Sequence, residues 1–265
     1  DTNADSETGT NGWVFKGNLA WTINDDAMVY VTYSEGYRPG GLNREPDLPS
    51  QSWKPDQLTN YEFGWKTTLD EGRLRWNGAA YLMDWDDVQY TVYNFSLSAC
   101  CANVYNLSTA RVKGLETDLS FLATEALTLS GGLAYNKAET TGDFILPNGR
   151  LSVPNGTQLP NVPEWKFNLL ARYDFSMSDM PLYAQADWSF TGKSTSEITG
   201  NIYPQQSYDI VNLRTGIDKD TWGLDLFVNN LLNTKAELYV HPRNYEPTVV
   251  TNRPLNYGLR YWMRF

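Results

Sequence analysis

Side chains that could bind a metal ion or carry out redox chemistry are few in this 265-residue chain. It contains one histidine, His241, and two cysteines, Cys100 and Cys101, which are adjacent. These residues leave little material for a His-based catalytic triad or a Cys/His zinc cluster. The chain also shows no phosphate-loop or nucleophile–base motif. The sequence therefore predicts a protein that is not an enzyme and has no covalently bound cofactor.

Three aspartates, Asp84, Asp86 and Asp87, supply the oxygen ligands that a hard cation prefers. In an extended strand they fall on both faces, so a common coordination sphere would need a bulge. A solvated rim of a sheet is the favoured interpretation, and a cation site is the alternative. We predict no metal site.

The elements that carry these residues show a clear period of two, in which apolar and polar side chains alternate. Near the end of the chain, Tyr257, Leu259 and Tyr261 fall on one face, and Gly258 and Arg260 fall on the other. Alternation of this kind indicates antiparallel strands. We predict eleven of them, at about 13–23, 27–38, 57–69, 73–90, 104–122, 126–138, 163–175, 181–192, 206–218, 222–232 and 254–265.

The lengths of the strands and of their connections indicate a membrane barrel. Strands in soluble proteins have about 5–6 residues, whereas a tilted strand that crosses a bilayer needs about 9–11. Short and long connections alternate strictly, as in outer-membrane barrels with periplasmic turns and extracellular loops. The short connections are Asn24–Asp26, Asp70–Gly72, Ala123–Glu125, Ser176–Met180 and Lys219–Thr221. The long ones are 39–56, 91–103, 139–162, 193–205 and 233–253.

Composition supports this fold class and excludes others. The net charge is -10 and the mean hydropathy is -0.48. The sequence has no apolar run near the roughly 18 residues that a membrane-spanning helix needs, so a helical membrane protein is excluded. Its net negative charge is concentrated in the short turns, and it has no basic stripe to neutralise phosphates. We therefore predict no nucleic-acid partner.

One predicted strand shows the two faces clearly. Leu182, Ala184 and Trp188 lie on an apolar face suited to lipid, while Gln185 and Asp187 lie on a polar face suited to a water-filled lumen. Backbone groups in hydrocarbon must all be hydrogen bonded, so such a sheet has to close into a barrel.

Several segments together resemble TonB-dependent outer-membrane receptors. They occur in the family's order and with hairpin spacing, and they cover most of the chain from about Trp13 to Phe265. The segments are Tyr33–Gly40, Leu58–Lys66, Val112–Glu116, Leu159–Trp165, Val228–Asn233 with Tyr239, and the aromatic-rich end at Phe265.

The resemblance implies a 22-stranded barrel that encloses an N-terminal plug and is powered by the TonB complex of the inner membrane. We find no plug and no coupling segment in this sequence. If Phe265 ends in the periplasm, strand eleven runs downward and strand one begins outside the cell. An even strand number with both ends in the periplasm is the rule for complete barrels. We therefore expect residues 1–265 to be the C-terminal half of a receptor barrel, without plug or first barrel half.

The resemblance also implies a function: energy-coupled uptake of a scarce nutrient, most plausibly a ferric siderophore, across the outer membrane. The expected partners are outer-membrane lipid and lipopolysaccharide, the protein's own plug and N-terminal barrel half, and the TonB complex. A passive porin and a surface adhesin are the alternatives. A porin would conduct ions without a plug, whereas an adhesin would bind protein through its long loops.

Ligand contacts are expected on the extracellular loops and the upper lumen wall. Arginine and aromatic side chains suit anionic, aryl-bearing iron chelates through bidentate and stacking contacts. The alternative is that each is an ordinary solvated loop residue without a binding role. For His241, a position on the surface is favoured over metal binding. The candidates are Arg38, Arg44, Trp53, His241, Arg243, Tyr245 and Arg253.

Cys100 and Cys101 fall in a predicted extracellular loop, where an oxidising environment permits disulfides. Within this chain they can pair only with each other, in a strained vicinal ring. Free thiols, or a partner cysteine elsewhere in the protein, are the alternatives. We expect a structural staple at the loop tip.

Overall fold

A computed structural model describes residues 11–43, 51–92, 103–145, 151–198, 202–241 and 248–264. In these residues all regular secondary structure is β-sheet, as predicted. None of them forms a helix that is long and apolar enough to span a bilayer.

Eleven long strands form the wall of the molecule, in one antiparallel sheet whose order follows the chain. The prediction of eleven antiparallel strands is confirmed. The wall strands are β1 (Lys16–Asn24), β2 (Ala27–Arg38), β5 (Asp56–Leu69), β6 (Leu74–Asp86), β9 (Ala110–Leu122), β10 (Leu127–Thr140), β13 (Trp165–Met177), β14 (Met180–Thr191), β17 (Tyr208–Asp218), β18 (Trp222–Asn229) and β21 (Asn256–Met263).

The long connections contain short strands of their own, which pair as five two-stranded ribbons. The ribbons are β3 (Gly41–Leu42) with β4 (Ser52–Trp53), β7 (Gln89–Val92) with β8 (Asn103–Asn106), β11 (Phe144–Ile145) with β12 (Leu151–Val153), β15 (Ser194–Thr195) with β16 (Pro204–Gln205), and β19 (Glu237–His241) with β20 (Thr248–Thr251).

Three predicted strand boundaries are wrong, each because of a residue with positive φ. The predicted strand 73–90 breaks at Asp87, whose φ is 52°, so its last part belongs to a loop ribbon. The predicted strand 222–232 ends at Asn229 because Asn230 has a φ of 52°. The predicted turn Ser176–Met180 shrinks to Ser178 and Asp179, both with positive φ, as two-residue hairpins of type I′ require.

The predicted strand 104–122 is also divided, into β8 and β9. Between them the backbone of Leu107 pairs with Val88, donating to its carbonyl at 2.7 Å. This pairing belongs to the loop ribbon, so the wall strand starts only at Ala110.

The two faces of the wall differ as predicted, and we call the apolar face the outer face and the polar one the inner face. On β13 the outer side chains run from Trp165 to Phe175, and Leu169 between them is 55% exposed. Ten residue steps give about 33 Å of strand, which a tilt of about 40° reduces to a height of about 25 Å. This height equals that of the apolar band on outer-membrane barrels.

The hydrophobic core lies in the long connections and not in the wall. Its buried members come from the second, third and fourth connections, together with Ala110 and Ala138 from the inner face of the wall. They are Val88, Val92, Tyr105, Leu107, Ala110, Ala138, Phe144, Val153, Leu159 and Ile198. The long connections therefore fold over the inner face at one end of the sheet.

Candidate ligand-binding surface on the long connections

We define five loops by the connections between wall strands: L1 (39–55), L2 (87–109), L3 (141–164), L4 (192–207) and L5 (230–255). All five leave the wall at the same end of the sheet, because every second connection is a short turn at the other end. We call their described parts together the loop cap. Most of the ligand residues predicted from the sequence belong to these connections.

An ion pair between the half-exposed Arg38 and the buried Asp56 fixes L1 and L2 to the wall. Asp56 is 2% exposed and accepts hydrogen bonds from Arg38 Nε at 2.9 and 3.0 Å. Trp85 Nε1 donates to the same carboxylate at 3.0 Å, and the backbone N–H of Gln89 donates at 3.2 Å. The Arg38 guanidinium also stacks on the Trp85 ring, 4.9 Å from its centre. Three residues, Arg38, Trp85 and Gln89, thus donate hydrogen bonds to this carboxylate.

Side-chain amides join L1 to L2 beyond this ion pair. Gln89 Nε2 donates to the carbonyl of Lys54 at 3.0 Å, and Asn106 Nδ2 donates to the same carbonyl at 2.9 Å. Asn43 exchanges two hydrogen bonds with the backbone of Val104, at 3.0 and 2.8 Å. An amide that bonds a backbone on both its groups mimics a strand neighbour, so the two loops move as one unit.

L4 is tied to L2 by a partly buried tyrosine. The Tyr90 hydroxyl donates to the Glu197 carboxylate and accepts the backbone N–H of Ile198 at 3.2 Å. Burial raises the pKa of Tyr90, and the hydrogen bond to Glu197 raises it further. The phenol therefore stays protonated at neutral pH and keeps this bond.

Single hydrogen bonds complete the cap. The hydroxyls of Thr109 and Thr141 lie 2.6 Å apart and join L2 to L3. The backbone N–H of Asn161 in L3 donates to the carbonyl of Thr195 in L4 at 2.7 Å. Gln205 in L4 donates a hydrogen bond from its Nε2 to the carbonyl of Glu237 in L5 at 3.3 Å. Every loop of the described cap is thus bonded to a neighbour, which makes the surface pre-formed.

The base of L5 is organised around Asn230, which is 3% exposed and directly follows β18. Its side-chain amide donates to the carbonyls of Thr234 at 2.9 Å and Arg253 at 3.0 Å, and its carbonyl oxygen accepts the Thr234 N–H at 2.8 Å. Its own N–H donates to Asn212 Oδ1 at 2.8 Å. Asn230 belongs to the segment Val228–Asn233 that carried the family resemblance, and this network is the physical reason for an asparagine there.

Replacing Asn230 with alanine is expected to loosen the base of L5. The backbone groups of Thr234 and Arg253 lose buried partners, and an unsatisfied buried group costs about 1–3 kcal/mol. Hydrogen exchange of the L5 amides should accelerate accordingly. Asn233→Ala is the matched control, since its side chain accepts one bond, from the Leu255 N–H at 3.0 Å. Equal acceleration in both variants would show that Asn230 is not the organising residue.

The structure places the predicted ligand residues at two separate positions. Arg38 ends β2 and Trp53 lies in β4, both at the root of L1, where the Trp53 ring covers Gly41 so closely that an added Cβ would lie 2.4 Å from it. Arg253 is exposed at the base of L5, and six wall strands lie between β5 and β18. His241 is the last residue of β19. Arg44, Arg243, Tyr245, Cys100 and Cys101 lie outside the described residues, so their roles stay predictions.

The residues that join the loops were not found from the sequence. Asp56, Gln89 and Asn106 are single polar residues without a motif. The nearest sequence signal was Arg38, which was selected as a ligand residue and whose guanidinium is engaged with Asp56. Its ligand role stays a prediction.

The three aspartates at the end of β6 and the start of L2 lie at the rim of the wall. Asp84 accepts a hydrogen bond from Arg111 Nε at 2.6 Å, while Asp86 and Asp87 are exposed. In the described residues no three histidine, cysteine or acidic side chains are placed so that they could hold a metal ion.

The inner face below the cap is a polar network. The Tyr183 hydroxyl donates to Asp225 Oδ1 at 2.6 Å, and the Arg172 guanidinium lies 4.1 Å from the centre of the Tyr183 ring. Arg172 also pairs with Asp174 at 2.9 Å. Such charges are costly in lipid and acceptable in a wet lumen, which agrees with the predicted assignment of this face.

The fold and the cap define a class of protein: a wall of long antiparallel strands, lipid-facing on one side and polar on the other, with all its long loops gathered at one end. The family model "TonB dependent receptor-like, beta-barrel" matches residues 1–231. The chain therefore belongs to this family of outer-membrane transport receptors, and the predicted resemblance is confirmed.

Individual relatives are similar over part of their length. The metal-pseudopaline receptor CntO of Pseudomonas aeruginosa is 29% identical over 160 residues, which are 59% of this chain and 20% of CntO. The ferric yersiniabactin uptake receptor FyuA of Yersinia pestis superposes with a TM-score of 0.75 at 16% identity, over 94% of this chain and 37% of FyuA. The siderophore receptor PiuA of Acinetobacter baumannii gives 0.73 and 17%, over 94% of this chain and 35% of PiuA.

The match spans about a fifth of the length of the curated relatives and about a third of the solved chains. The structural likeness therefore establishes the fold.

Proposed function

We propose that this chain is part of an outer-membrane receptor that takes up a scarce nutrient by TonB-dependent, energy-coupled transport, with a ferric siderophore or a related metal chelate as its ligand. The observation that carries the proposal is the family match over residues 1–231. The relatives named for metal–pseudopaline and ferric yersiniabactin support a metal chelate as the ligand class. The pre-formed cap supports recognition at the extracellular side.

The edges of the sheet support the proposed domain organisation. β1 and β21 each pair on one side only among the described strands, and they run in the same direction because they are the first and last of eleven. Two copies of this sheet would therefore meet in parallel seams, whereas receptor barrels are antiparallel throughout. We assign residues 1–265 to the C-terminal part of a 22-stranded barrel whose other strands and plug are supplied by further polypeptide.

Orientation and partners follow from the same proposal. The loop cap faces the cell exterior, the short turns and the C-terminus face the periplasm, and the polar inner face surrounds the plug. The plug connects the receptor to the TonB complex, while lipid and lipopolysaccharide cover the outer face. Ligand contacts are assigned to Arg38, Trp53, His241 and Arg253, with Arg44, Arg243 and Tyr245 from the loop segments beyond the described ones.

Uptake measurements test the proposal. A strain that lacks the gene is compared with its parent and with a complemented strain for uptake of radiolabelled iron chelates and of nickel, cobalt and zinc chelates under metal limitation. We expect one chelate class to depend on the gene and on TonB. Normal uptake of every chelate in the deletion strain, or uptake independent of TonB, contradicts it. Ion conductance of the purified protein without ligand indicates the passive channel, and cell attachment without uptake indicates the adhesin.

A further inference from the structure

Aromatic side chains on the inner face stand opposite glycines. Two inward-pointing aromatic residues, Trp85 and Tyr208, lie at the loop end of their strands. Below them, every other inward-pointing aromatic residue of the described wall faces a glycine directly across the ladder in the neighbouring strand. The pairs are Tyr30 with Gly64, Tyr81 with Gly114, Tyr183 with Gly216, Phe227 with Gly258, and Trp262 with Gly223.

The rings lie flat against the wall and cover these glycines. A Cβ added to Gly64, Gly114 or Gly223 would overlap the ring of the opposite residue. One added to Gly258 would lie 2.6 Å from the ring of Phe227. Side chains of a strand ordinarily stand roughly perpendicular to the sheet. A ring that lies across the neighbouring strand instead occupies the space of a Cβ, and only glycine leaves that space empty.

Hydrogen bonds hold two of the tyrosines in this flat position. The Tyr81 hydroxyl on β6 reaches past Gly114 on β9 and donates to Asn136 Oδ1 on β10. Tyr183 on β14 reaches across β17 in the same way, with its bond to Asp225 on β18. Each of these side chains therefore spans three strands, and its ring cannot rise into the lumen without losing a hydrogen bond.

Aromatic side chains on the outer face are arranged differently. They pack against one another, as Tyr135 and Trp165 do with their ring centres 4.6 Å apart. In the described part of the outer face one ring covers a glycine, that of Trp65 over Gly78. Glycine in a strand interior weakens the strand and often marks a place that another backbone or a ligand approaches closely. The repeated use of glycine is thus a property of the inner face and not of the sheet as a whole.

We propose that these inner glycines keep the lumen wall low, so that the contents of the lumen can move along it during transport. The inference rests on the proposed function, in which a plug fills the lumen of a 22-stranded barrel and a chelate has to pass. A closely fitting body moves along a wall only if no ring projects from it. The glycines are therefore positioning residues, which act through the rings that they accommodate.

Replacing Gly114 with alanine in the complete receptor tests this role. The new Cβ displaces the far end of the Tyr81 ring, and the ring has to move toward the lumen because the wall blocks the other side. We expect the initial rate of chelate uptake per folded receptor to fall about tenfold, with an unchanged Kd of the chelate at the loop cap. Adding Tyr81→Ala removes the ring and should restore the rate to within about twofold.

Gly78→Ala is the matched control, because it creates the same kind of clash, with Trp65, on the outer face. It should lower the stability of the receptor without lowering uptake per folded molecule, which is counted by heat-modifiable mobility in gels. An equal loss of uptake in both alanine variants overturns the proposal, as does a Gly114→Ala rate that stays normal or is not restored by Tyr81→Ala. The glycines would then serve packing and assembly alone.

Hydrogen exchange of the plug amides separates this inference from the proposed function. Exchange should be faster in Gly114→Ala than in the original receptor and unchanged in Gly78→Ala, because only the first change pushes a ring into the lumen. The measurement needs no chelate, so it supports or contradicts the inference even in a receptor that takes up none. Unchanged exchange in Gly114→Ala contradicts the inference, whereas absent uptake by the original receptor contradicts the proposed function.

Discussion

Replacing Arg38 with methionine is expected to open the contact between L1 and L2, because it leaves the Asp56 carboxylate buried without its counter-charge. Leaving a buried polar group without its partner costs about 1–3 kcal/mol. We expect a loss of about 2 kcal/mol here, because the Arg38 side chain is half exposed and because Trp85 and the Gln89 N–H continue to donate. Hydrogen exchange of the amides from Gln89 to Val92 in the complete receptor measures this loss as a local opening free energy.

Two variants control this experiment. Arg73→Met removes an exposed ion pair with Asp70 and exposed hydrogen bonds to the carbonyls of Leu122 and Ala123 at the other end of the wall, so it should leave the exchange from Gln89 to Val92 unchanged. Arg38→Met combined with Asp56→Asn removes both charges, while the amide oxygen can still accept from Trp85 and from the Gln89 N–H, so this variant should restore most of the protection. If the single and double variants exchange at the same rate, the buried carboxylate is not what holds the two loops together.

The wall was predictable because the hydropathy pattern of each strand is contained in its own residues. Leu182, Ala184 and Trp188 alternate with Gln185 and Asp187 whatever the distant parts of the chain do, so a period of two identifies both the strand and its faces. The errors came from residues that permit positive φ. Asp87 and Asn230 end strands that continue in hydropathy but not in backbone conformation.

The loop cap was not predictable for the opposite reason. Asn43 bonds Val104, and Tyr90 bonds Glu197 from 107 residues away. No periodic pattern or spacing in the sequence predicts such pairs, because their residue types are also those of ordinary solvated loops. Arg38 illustrates the limit: its type suggested an anionic ligand, whereas the structure supplies it with the anion of Asp56.

An arginine at position 169 is expected to prevent stable insertion of the barrel, whereas one at position 170 is tolerated. Leu169 lies on the outer face, near the middle of the apolar run between Trp165 and Phe175. Arginine on the lipid face of a barrel costs about 2–4 kcal/mol at the bilayer midplane. Leu170 is its neighbour on the inner face and stands opposite Asp187, whose carboxylate can pair with a new guanidinium.

The two variants therefore compare the same new charge in two environments, the lipid at the outer face and the water-filled lumen at the inner face. Folding of the complete receptor into lipid vesicles, followed by its heat-modifiable mobility in gels, should give a lower folded fraction and a lower unfolding midpoint in urea for Leu169→Arg alone. Equal losses would mean that both faces are buried in protein, as in a soluble sandwich. A larger loss for Leu170→Arg would show that the two faces are the reverse of those assigned here.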